Sequence, residues 1–173
     1  VKMVFFYGID PGLSGGIASY DSVTGEWEVM VMPVVELKLG DGKKKRSLDH
    51  KALSEIFRDV DQNSCYAVLE EQHAMPRQGV ASMFKTGFGF GALKQVLVDF
   101  NIPHEVVRAK MWQKEFGIYG VKGDTKEQAR RICQDLFPGV NLLATPRSKK
   151  PHEGMVDAVL IAGYGRRRYG IEK

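Results

Sequence analysis

The chain has 173 residues, 43% hydrophobic and 27% charged, which is ordinary for one globular domain able to bury a full core. No apolar stretch approaches the ~20 residues of a membrane-spanning helix, so an integral helical membrane protein is excluded. Net charge is +4 and uneven: residues 1–107 hold 11 Lys/Arg against 14 Asp/Glu, net −3, and residues 108–173 hold 14 against 7, net +7. A basic half favours a polyanionic partner, although ordinary surface lysine gives the same count. The first residues lack the order of a signal peptide, so a soluble intracellular protein is expected; a chloroplast address would need a transit peptide trimmed ahead of Val1. Cys65 and Cys133 stand in no Cys-x-x-Cys or Cys/His cluster, so buried free thiols are expected and structural zinc is not.

Residues 2–9 read as a buried strand. Residues 17–20 and 27–32 read as two more, joined by a turn around 21–25, which makes an antiparallel three-strand meander. Residues 37–47 read as a polar loop carrying the basic run Lys43–Arg46. Asp49 caps a helix over about 50–60, with Leu53, Ile56, Phe57 and Val60 at helical spacing. Residues 66–70 are a fourth strand. Residues 71–79 form a loop held by Pro76 and Gly79, and Gly87, Gly89 and Gly91 belong to a helix running to about Phe100. Glycine inside a helix costs roughly 1 kcal/mol relative to alanine, so this stretch implies close approach of a second backbone, from a partner helix or DNA.

A fifth strand covers 105–107 and a short helix 109–116. Asp124 or Thr125 starts another helix, stopped by Pro138-Gly139 after Phe137. A basic loop over 144–151 leads to a last helix from near His152, with Met155, Val156, Val159, Leu160 and Ala162 inward. There is no internal repeat, and residues 1–173 read as a single domain. The order of elements predicts an α/β fold with a five-stranded mixed sheet flanked by helices.

Four carboxylates stand at element ends. Asp10 closes the first strand and opens the turn Asp10-Pro11-Gly12-Leu13-Ser14-Gly15-Gly16. Glu70 closes the fourth strand; Glu71 beside it points to the opposite face, and pattern does not choose between them because both faces are apolar. Glu153 and Asp157 share one face at the start of the last helix. Such a set suits a hard cation held by oxygen ligands. Two Mg²⁺ ions, roughly 4 Å apart, would offset the carboxylate repulsion and clamp a phosphodiester's attacking water and leaving oxygen; Mn²⁺ suits the same donors. Alternatively, Glu153 and Asp157 only favour a helix N-terminus. Lys126 and Arg130 share a helix face suited to phosphate, and Arg147, Lys149 and Lys150 form a basic arm; a solvated helix face is the plainer alternative. His152 is the histidine placed to take part, while His50 and His104 read as structural. Arg166, Arg167 and Arg168 end the last helix, where cations suit its dipole, and DNA contact is the other reading.

With these residues in view, the chain resembles RuvC-type Holliday junction resolvases, most closely the branch of plant chloroplasts and its bacterial and phage relatives. The resemblance spans about residues 4–169. It rests on Gly8-Ile9-Asp10-Pro11-Gly12-Leu13-Ser14-Gly15, Leu69-Glu70-Glu71-Gln72, Gly87–Gly91, Thr125-Lys126 before a helix ending Leu136-Phe137-Pro138, and Asp157–Gly165. It implies an RNase H-like fold, a homodimer, and Mg²⁺-dependent paired nicking of four-way DNA junctions with no small-molecule cofactor. It implies Asp10, Glu70 and Asp157 as the acidic core, Glu153 as a further ligand, and Lys126 near the scissile phosphate. Bacterial relatives often put that further ligand three residues before the last acid, where this chain has Gly154. The loop 72–79, with His73 and Arg77, occupies the place of a junction-probing loop, but its sequence differs. Rival readings are an RNase H-like nuclease on flap DNA or RNA–DNA hybrid, a non-catalytic junction-binding protein, and an actin-like kinase lobe. The last needs a second lobe for which 173 residues leave no room.

Overall fold

In β1 (Phe5–Asp10) every second side chain turns to the same side of a sheet, and β2 (Gly16–Asp21) and β3 (Trp27–Val31) extend it as an antiparallel meander. The computed structural model describes residues 4–74, 76–120 and 123–170. The first two residues of the expected first strand, and Met75 of the expected loop, lie outside them.

The polar loop expected over 37–47 is instead an antiparallel hairpin, β4 (Val34–Lys38) and β5 (Lys44–Leu48). Val34 pairs with Leu48, Glu36 with Arg46 and Lys38 with Lys44. Gly42, at φ 80°, gives the turn its left-handed step. A run of lysines reads as solvated loop by composition, yet the cross-strand Lys44–Glu36 pair at 3.0 Å and the buried Leu48 satisfy a strand.

Asp49 caps α1 (His50–Arg58) by accepting from Ala52 N at 3.0 Å. β6 (Cys65–Glu70) pairs parallel with β1, and β7 (His104–Val107) pairs parallel with β6. Between them runs α2 (Val80–Asp99), which begins well before the glycine stretch. After β7 come α3 (Ala109–Glu115), α4 (Thr125–Leu136) and α5 (Glu153–Tyr169). The sheet order is β3-β2-β1-β6-β7, five strands of mixed direction, with the β4-β5 hairpin separate.

Each face of the sheet buries its own core. Ile9, Leu69, Leu53, Phe57 and Leu93 lie between the sheet and α1/α2. Ala18, Val68, Trp112, Cys133 and Val159 lie under α3, α4 and α5. Both cysteines are buried free thiols. Among the described residues no helix is long and apolar enough to cross a membrane. Among the described residues the glycines of α2 face no second backbone: a Cβ at Gly87 or Gly91 would meet nothing within 4 Å, and one at Gly89 would meet only Leu48 Cδ1 at 3.5 Å.

Candidate active site

β1 and β6 are parallel and in register, with Ile9 level with Leu69, so Asp10 and Glu70 close neighbouring strands at the same edge. Asp10 is in phase with Gly8 and Glu70 with Val68, and both of those residues lie against α5. Phase within the folded sheet therefore separates Glu70 from Glu71. Glu70 turns under α5, whereas Glu71 turns outward and takes Arg108 Nε at 2.9 Å.

The seat of α5 is built from missing side chains. A Cβ at Gly8 would lie 2.1 Å from Ala158 O, and one at Gly154 would lie 2.4 Å from Ser14 O and Gly15 C. The helix thus rests backbone on backbone against β1 and the Asp10 turn, which puts Asp157 over the ends of β1 and β6. The same contact accounts for glycine at position 154: a side chain there has no room.

The acids sense one another. Burial raises the Asp10 carboxyl, against a hydrogen bond from Gly12 N at 3.3 Å and the nearby His152. Burial also pushes Glu70 up to about 7, opposed by the Trp112 hydrogen bond and reinforced by Asp10. Asp157 rises to about 7 through burial and then the charges of Asp10, Glu70 and Glu153, with Lys126 pulling the other way. Two acids are held by partners. Glu70 Oε2 accepts Trp112 Nε1–H at 2.8 Å, and Glu153 Oε2 takes Lys126 Nζ at 2.5 Å. As they stand, no group of three or more His, Cys, Asp or Glu side chains among the described residues is arranged to hold a metal ion.

The basic candidates divide. Lys126 meets the acids directly. Its helix is started by Asp124, which accepts from Lys126 N and Glu127 N. Arg130, expected to extend a stripe with Lys126, is turned back onto Glu127 at 2.5 Å. Arg147, Lys149 and Lys150 are exposed on a loop whose end is fastened by His152 N to Leu142 O at 2.8 Å, beside the start of α5. His73 and Arg77 are exposed beyond Glu70, with Arg77 at φ 67°. Arg166, Arg167 and Arg168 end α5 far from the acids and lie over the rings of Tyr20, Phe116 and Tyr164.

Among solved structures, Thermus thermophilus RuvC superposes with a TM-score of 0.52 at 16% identity, covering 95% of this chain and 97% of RuvC. T. thermophilus RuvC in complex with Holliday junction substrate gives 0.56 at 14% identity, covering 96% of each chain. The chain has the RuvC fold. It is an RNase H-like α/β fold, a five-stranded mixed sheet flanked by helices. At these identities the likeness is one of fold, and the plant chloroplast-type branch finds no support in it. By sequence, no protein-family model and no curated protein matches significantly.

Within this RuvC-like frame two features escaped the sequence. Trp112 reaches Glu70 across 42 positions, a pairing no local pattern encodes. A cleft of about 260 Å³ runs beside the Asp10 turn, lined by Gly12, Ser14, Gln72, Ser82, Lys85 and Thr86. The hydroxyl and ammonium groups that α2 brings to it are spaced 82, 85 and 86, a helical spacing that marks a polar face without saying what it faces.

Proposed function

We propose that the chain is a structure-selective endonuclease that resolves four-way DNA junctions by Mg²⁺-dependent hydrolysis of paired phosphodiesters. One observation carries this reading: on a RuvC-like fold, Asp10 and Glu70 close adjacent parallel strands beneath Asp157, where burial and then the charges of Asp10 and Glu70 raise the Asp157 carboxyl. The donor chemistry fits the ion. All the groups are carboxylate oxygens, the preference of a hard divalent cation; burial raises Asp10, Glu70 and Asp157, neighbouring carboxylates add to it at Glu70 and Asp157, and a cation relieves both.

Asp10, Glu70, Asp157 and Glu153 are the residues that would hold Mg²⁺, with Mn²⁺ as a substitute. When bound, the ion supplies an activated water and stabilises the leaving oxygen. Gly12 N–H orients the Asp10 carboxylate, and Lys126 keeps a positive charge beside Glu153, where a phosphate oxygen can take it over. Arg147, Lys149 and Lys150, with His73 and Arg77, are assigned to the DNA backbone; Arg130 joins them on release from Glu127. Such contacts grip phosphate and leave junction preference to shape.

Paired cuts call for two sites. The exposed apolar stripe of α2, Val80, Phe84 and Phe88 at 80%, 73% and 57% exposure, borders the open Gly87 and Gly91 and is assigned to a homodimer contact. The reading treats the chain as one nuclease domain. Incubation with synthetic four-way junction, duplex, flap and RNA–DNA hybrid, with and without Mg²⁺, tests it. Symmetric nicks in the junction alone are expected. Preferred cutting of flap or hybrid replaces the substrate, and binding without cutting removes the catalysis. Sedimentation at the assay concentration tests the dimer.

A further inference from the structure

One contact ties the acids to the hydrophobic core. Trp112 is 1% exposed and packs with Val68, Ile118 and the buried face of α5. An indole that deep needs an acceptor for its N–H, and the acceptor is Glu70 Oε2 at 2.8 Å. The other oxygen, Oε1, takes a long contact from Gln72 at 3.4 Å. One oxygen is therefore pinned from the core, while its twin is loosely held, in a carboxylate close enough to Asp10 and Asp157 for their charges to interact.

The donor itself does not drift. Glu71 N donates to Val107 O at 2.7 Å, and Arg108 Nε meets Glu71 Oε2 at 2.9 Å. These bonds fasten the residue after Glu70 to the residues just before α3, which carries Trp112. Two elements of different sheet strands are thereby locked at the height of the site.

We propose that Trp112 is a positioning residue whose indole N–H fixes the Glu70 carboxylate in the orientation that faces Asp10 and Asp157. The proposal rests on the metal-dependent nuclease reading above. It makes Glu70 the preformed side of the site, whereas Glu153, held by an exposed lysine, is the side that rearranges. Groups that orient a ligand from behind are worth roughly 10- to 100-fold in metal affinity or activity.

The test removes the donor and keeps the ring. In a Trp27→Phe parent, where Trp112 is the remaining tryptophan, Trp112 is exchanged biosynthetically for β-(3-benzothienyl)alanine, which has sulfur in place of N–H. Mg²⁺ affinity is measured by calorimetry without DNA, and kcat and KM on a four-way junction. The analogue protein should melt close to the parent, keep its KM, and lose roughly 10- to 100-fold in Mg²⁺ affinity or kcat. In a Glu70→Ala background the same exchange should change nothing further. Trp112→Phe should follow the analogue, while Ile118→Val, a core truncation away from Glu70, should lower stability alone. Equal Mg²⁺ affinity and kcat in analogue and parent overturn the role of Trp112 and leave the nuclease reading standing. A parent that binds Mg²⁺ but cuts no junction overturns the nuclease reading, and Mg²⁺ affinity still decides on Trp112. A parent that binds no Mg²⁺ overturns both.

Discussion

The two ends of α5 treat charge in opposite ways. At its C-terminus, Arg166 lies 4.7 Å from the ring centre of Tyr20 and Arg167 lies 4.6 Å from that of Phe116, with Glu115 at 3.2 Å. Arg168 donates to Tyr169 at 3.2 Å, whose hydroxyl bonds Glu105 at 2.7 Å. These cations also suit the helix dipole. At the N-terminus, Asp157 joins Asp10 and Glu70 in a half-buried cluster where burial raises all three and neighbouring carboxylates raise Glu70 and Asp157 further. One end stabilises the fold; the other buries carboxylates close together at a cost. Within one helix, the candidate site lies where Asp157 has no cation paired to it among the described residues, although Glu153 one turn earlier holds Lys126.

The sharpest break of this contrast is Asp10→Asn. Loss of one ligand should cut cleavage about a thousandfold or more, the equivalent of several kcal/mol of transition-state stabilisation. Junction binding, mostly a matter of phosphate charge, should persist. Single-turnover nicking and gel-shift assays check both, and near-normal nicking would remove the acids from the site.

Glycine substitutions compare the two ends by packing. Gly154→Ala drives a methyl into Ser14 and Gly15 backbone, so it should lower stability by about 2–3 kcal/mol or more and abolish cleavage by lifting Asp157. Gly163→Ala meets a side chain, Phe137 Cζ at 2.8 Å, and should cost less and leave cleavage measurable. Thermal melts beside nicking rates decide; equal costs would say that α5 is not seated more tightly at the site.

The charge contrast also predicts a pH response. Glu70 and Asp157 titrate near 7 when folded, against ordinary values of 4.5 and 3.8. Between about pH 4 and 7 the folded chain therefore keeps protons that the unfolded chain has released, and in EDTA stability should fall as pH rises through that window. Asp41 and Asp61, held low by bonds from Lys43 and Asn63, act in the other direction, and only below about pH 4. Mg²⁺ at pH 8 should restore stability, and Asp157→Asn should flatten the fall. Melting temperatures that climb steadily from pH 4 to 7 in EDTA would deny the repulsion.

Smaller effects complete the series. Lys126→Ala should slow nicking and lower the slope of log affinity against log salt by about 1, as one phosphate contact is lost; an unchanged slope would leave Lys126 as a partner of Glu153 only. Arg167→Ala should cost about 1 kcal/mol or less of stability and leave nicking unchanged, which melts and rates check together.

How far the sequence reached follows from the range of each signal. Strand alternation, the cap Asp49, the start of α4 to within one residue, the start of α5 and the acids at strand ends were legible because they depend on neighbours a few residues away. The hairpin over 34–48 was missed because its pairing, Val34 to Leu48, spans the charged run that disguised it. Whether Glu70 or Glu71 turns to the site was decided by which sheet face receives α5. Why position 154 is glycine became clear only when the helix met Ser14 and Gly15. The indole behind Glu70, the rings under the three arginines, and the turn of Arg130 away from Lys126 needed the sheet order and the packing of α3, α4 and α5. Local chemistry wrote the elements and their charged ends; contacts between distant segments, which no period or spacing encodes, determined which of those charges are paired and which are left facing one another.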